Sequence, residues 1–139
     1  MNISKLTVVG ISFAAAVFAA DPWAGTWRMR ATPQSKVASR TITELETGPD
    51  TFHVTFDDVS KTGEKSKNDE TLICDGKEHA AKDASSVQIC TRTGPTTRTL
   101  AGKKDGKIVD QVTHSLSPDG KVLTVTNTST GNVVVYEKQ

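Results

Sequence analysis

The residues able to do chemistry are few. His53, His79 and His114 with Asp57 and Asp58 have the donor types of a metal site, but their separations match no recognised ligand spacing, so neither a metal nor a cofactor is expected. Cys74 and Cys90 lack the C-x-x-C spacing of a redox or zinc motif. No G-x-S-x-G sequence presents a serine nucleophile, so no catalytic residue is assigned and the chain is read as a non-enzyme. What remains is a small set of polar residues set among apolar ones. Arg98 lies two positions from Leu100, and His114 two from Val112 and Leu116. On a strand such positions share a face, so if the apolar residues line an interior, Arg98 and His114 line it too. Together with Tyr136, Phe52 and Phe56 they are the candidate ligand-binding residues, because a cavity needs a few polar groups on an apolar wall. The ordinary alternative leaves Arg98 and His114 in solvent and Tyr136 half-buried.

The elements that must position these residues are strands. Beyond residue 21 no window carries apolar side chains at helical spacing, whereas alternating segments rich in Thr, Val and Ile recur between turn signals such as Gly48-Pro49-Asp50, Asp105-Gly106 and Pro118-Asp119-Gly120. The pattern predicts strands at about 26–32, 38–46, 51–58, 66–73, 77–81, 86–92, 97–102, 107–116, 121–128 and 133–138. Short connections make sequential neighbours antiparallel, and a meander of about 8–10 strands hides its edges by closing. The fold expected is all-β, a single antiparallel up-and-down barrel without substantial helix. Alternation nominates Trp27 and Met29, Phe52, Val54 and Phe56, Val87 and Ile89, and Leu123 and Val125 as inward faces.

Residues 1–20 read as a signal peptide: Lys5 precedes an apolar run over 6–20 that ends in small residues, with cleavage before Ala20 or Asp21. The run is short of the roughly 20 residues of a spanning helix, so the mature domain, 21–139, is expected in the periplasm or secreted, without a membrane span. Removing Lys5 leaves 16 charges of each sign, a balance that argues against nucleic acid as a partner. An oxidising compartment makes a Cys74–Cys90 disulfide the default. The strand reading opposes it, since one strand would intervene and next-nearest strands are too far apart for a relaxed bridge.

Asp21-Pro22-Trp23-Ala24-Gly25-Thr26-Trp27-Arg28 opens the first strand on Gly-x-Trp, and the chain ends on the hairpin that runs from Ser117-Pro118-Asp119-Gly120 to Val134-Val135-Tyr136. These features resemble the calycins, the lipocalins and fatty-acid-binding proteins, and are similar to small exported bacterial lipocalin-like domains. The resemblance implies an up-and-down barrel closed at one end by Gly25 and Trp27 and holding a small hydrophobic or amphipathic molecule. It also has a gap. Where fatty-acid-binding proteins carry Arg-x-Tyr on the last strand, this chain has Val134-Val135-Tyr136, so an acyl carboxylate lacks its usual cation. Two further readings stand beside it for a domain expected to be a monomer. One is a module that binds another exported protein, such as a protease, by inserting residues 20–24; the other is a packed envelope barrel without ligand.

Overall fold

The computed structural model describes residues 21–139 apart from Ala84; the expected signal peptide and Ala20 lie outside the described residues. Ten strands follow one another: β1 Gly25–Met29, β2 Ser39–Gly48, β3 Thr51–Val59, β4 Lys65–Ile73, β5 Glu78–Ala80, β6 Ser86–Gly94, β7 Thr97–Lys104, β8 Lys107–Leu116, β9 Val122–Asn127 and β10 Val133–Lys138. They form one antiparallel sheet in the order β4-β3-β2-β1-β10-β9-β8-β7-β6-β5, an up-and-down barrel in which the first and last strands pair, Trp27 opposite Lys138. The local chemistry is that of tight hairpins. β7 and β8 are joined by Asp105-Gly106, both at positive φ (52° and 75°), as a two-residue turn whose twist matches its strands requires.

Alternation puts Trp27, Ile42, Phe52, Val54, Leu72, Leu116, Leu123 and Tyr136 in the barrel core, where each large side chain contributes about 1.5–3 kcal/mol by leaving water. Strand β6 departs from the expected face. Cys90, 1% exposed, points inward, so Val87 and Ile89 alternate to the outside instead. The inner face of β6 reads Ser86, Gln88, Cys90 and Arg92 and the outer face carries Val87 and Ile89, so a rule that turns the more apolar face inward misassigned them.

The sheet's two edges, β4 and β5, face each other without a ladder between them. Closure comes from side chains. The Lys82 ammonium donates to the Asp69 carbonyl and carboxylate, both at 3.0 Å, and Cys74 and Cys90 form a disulfide with their Cα atoms 4.3 Å apart. The intervening strand does not obstruct the bridge, because β5 is three residues long and its first rung, Glu78 opposite Ile89, falls below the level of Cys90. There Cys74, just past the end of β4, meets β6 directly, and the Gly76 N–H donates to the Cys90 carbonyl at 2.9 Å.

Candidate functional site

One end of the barrel is sealed. Trp27 is fully buried and its indole N–H donates to the Trp23 carbonyl at 3.2 Å. The Lys138 ammonium sits 5.2 Å from the Trp27 ring centre. Gly25 makes this approach possible: its φ is +141°, and a Cβ there would stand 2.8 Å from the Lys138 side chain. Trp23, 1% exposed, packs inside the same end, and Asp21 anchors the segment through a 2.7 Å ion pair to Arg92. Residues 21–24 are therefore part of the plug, not the free segment that insertion into a partner enzyme needs.

Beneath the plug lies a charged core. Arg98, on β7, donates to both Glu44 oxygens at 3.1 and 2.6 Å, and its Nε donates to His114 Nδ1 at 3.2 Å. Its guanidinium lies 4.2 Å from the Trp23 ring centre, while Trp23 Nε1 has no hydrogen-bond partner among the described residues. Burial, aided by the Arg98 charge, pushes His114 down to about 3, so the imidazole is neutral and can accept that hydrogen bond. The reading that left Arg98 and His114 in solvent is overturned by the shared face with Leu100 and Leu116, and Tyr136, 4% exposed, is more than half-buried. Phe52 packs against this group, its ring 5.8 Å from Arg98. Glu44, the partner that makes Arg98 tolerable inside, escaped sequence reasoning although it shares the face of Ile42.

The other end is open. A cavity of about 550 Å³ lies between the β1–β2 connection and β8–β10, with Met29, Val112, Val125 and Val134 as its apolar wall and Arg40 and Tyr136 as its inner polar groups. Arg40 makes a second two-pronged ion pair, Nε and Nη2 donating to Asp58 at 2.7 and 2.6 Å, and also faces the Tyr136 hydroxyl. Burial raises the pKa of that hydroxyl, and the Asp58 hydrogen bonds hold the guanidinium firmly charged. Phe56, half-buried, carries Arg40 5.7 Å from its ring centre. The candidate residues thus divide, with Phe52, Arg98 and His114 in the closed half and Phe56 and Tyr136 toward the mouth. Arg40 was missed, and Asp58 was weighed only as a metal donor, though it shares the face of Phe56.

The remaining histidines are dispersed. His79 contacts Asp75 at 2.8 Å and His53 lies 3.7 Å from Asp69; among the described residues no group of three or more His, Cys, Asp or Glu side chains gathers as a metal site. No described helix is long and apolar enough to cross a membrane. No family model matches the chain, and no curated protein matches it. Solved structures do. The wild-type fluorescent protein UnaG superposes with a TM-score of 0.58 at 19% identity over 84% of this chain and 97% of that one. Two point variants of UnaG give 0.57 and 0.58, at 17% and 18% identity, each over 85% of this chain and 96% of theirs. At this identity the likeness establishes the fold: a calycin-like up-and-down barrel.

Proposed function

We propose that the protein is an exported, non-catalytic barrel that holds a small apolar or amphipathic molecule in its open half. The observation that carries this reading is the cavity of about 550 Å³ beside Tyr136, a volume within the roughly 300–1,000 Å³ of small-molecule sites, on a barrel whose other end is plugged by two tryptophans. A packed barrel would fill this space with side chains. Here the apolar part of the wall is one methionine and valines such as Val112, Val125 and Val134, and the mouth is crossed by the β1–β2 connection, tied down where Lys61 donates to the Pro33 carbonyl at 3.4 Å.

The test is native mass spectrometry of the protein taken from its own compartment, beside binding of an uncharged apolar dye to the recombinant domain. A discrete extra mass lost on denaturation, and saturable dye binding abolished by the cavity-filling Val125→Trp with its fold intact, are the expected results. A bare mass together with no dye binding would refute the reading. The measured mass also reports whether the chain is cut before Ala20 or Asp21, and so tests export.

A further inference from the structure

Both guanidiniums inside the barrel are already matched by a carboxylate. Arg98 is held by Glu44 and Arg40 by Asp58, each through two hydrogen bonds. At the rim Arg30 pairs with Glu137 at 2.6 Å. Among the described residues, of the cations lining the mouth cavity only Lys36 has no carboxylate within ion-pair distance, and it stands exposed on the β1–β2 connection, where water and salt screen it. The inner polar group left to a guest is the Tyr136 hydroxyl, whose oxygen faces Arg40 and whose proton is available to donate.

We infer that the mouth cavity selects an uncharged amphipathic guest, with a hydroxyl, amide or carbonyl head, over the carboxylate of the same skeleton; the inference rests on the ligand-binding reading above. A carboxylate reaching Tyr136 gives up its hydration and meets a cation whose two best donor directions are taken by Asp58. It must displace that side chain or lie beside it as a like charge. A neutral head exchanges one hydrogen bond with water for one with Tyr136 and disturbs no ion pair. An ammonium head is no better placed, since Asp58 and Glu44 are each consumed by an arginine and burial pushes the Glu70 carboxyl toward its neutral form.

The experiment is displacement of Nile red, an uncharged dye, from the intact domain by the alcohol, carboxylic acid and amine of one saturated chain length at neutral pH. The alcohol is expected to compete at about tenfold lower concentration than either charged partner. An acid that competes as well as the alcohol overturns the inference, and if Lys36→Ala then weakens the acid alone, the head sits at the rim instead. Asp58→Asn keeps the shape and one acceptor for Arg40 while releasing its charge. It should move the acid-to-alcohol ratio toward the acid by about ten- to a hundredfold, and adding Arg40→Gln should move it back. A ratio unmoved by Asp58→Asn, in a variant whose thermal unfolding is near wild type, overturns the inference too. Wild-type protein that binds no dye fails the ligand reading itself, an outcome distinct from dye binding with the wrong preference.

Discussion

The Arg98–Glu44 and Arg40–Asp58 pairs are both two-pronged, the first through Nη1 and Nη2 and the second through Nε and Nη2, and they live in different solvents. The first is sealed, its side chains 1% and 3% exposed, and roofed by Trp23; the second, 36% and 13% exposed, opens onto the mouth cavity. Burial turns a similar contact into a different device. In the closed half the two charges neutralise each other where water cannot, so each is the condition for burying the other. At the mouth water shares the work, and the pair instead sets the charge a guest would meet.

Removing one member of each pair tests the contrast, and the largest effect belongs to Arg98→Met. It leaves Glu44 as an uncompensated buried charge and should cost about 3–5 kcal/mol in urea unfolding, much of it regained when Glu44→Gln is added. A loss as small as that of a surface pair would break the comparison. Replacing Cys74 and Cys90 together by alanine loosens the closed end from outside the ion pair, with an expected loss of about 3 kcal/mol by chain entropy and an unchanged barrel spectrum.

The pH dependence separates the halves further. His114 has a lower pKa in the fold than the ordinary 6.5 of the unfolded chain, so the unfolded state binds the extra proton. Its contribution is fully present above about pH 6.5 and is lost progressively as pH falls toward 3. Wild type should therefore lose on the order of 3 kcal/mol more between pH 7 and 4 than His114→Gln does, read from unfolding midpoints at each pH. Equal losses would place the histidine in water. Smallest of all, Asp58→Asn should cost less than about 1 kcal/mol, which makes it usable as a specificity probe.

How much of this could be read from the chain differs with the kind of contact. Local chemistry was legible: Asp105-Gly106 and Pro118-Asp119-Gly120 mark hairpins by the backbone angles they tolerate, and alternation counted ten strands. Parity with Leu100 and Leu116 pointed Arg98 and His114 inward, conditional on a register that sequence leaves open. Contacts across the barrel were not legible, because Glu44 lies 54 residues from Arg98 and no period relates them. The same holds for Arg40, which stands beside Tyr136 from another strand. For the cysteines the obstacle was length. A three-residue β5 looks, in sequence, like a strand able to hold two others apart.

The pairing of β1 with β10 brings both ends of the described chain to the plugged end: Asp21 is bound to Arg92, and the Gln139 N–H donates to the Thr26 carbonyl at 2.9 Å. Residues 21 and 139 thus lie at one pole and the cavity at the other. A tether attached at residue 21 or residue 139 would leave the mouth facing away from the surface that holds it. A short linker could join residue 139 to residue 21, with new ends cut at an exposed turn such as Asp105-Gly106, and the order of strands around the barrel would be the same.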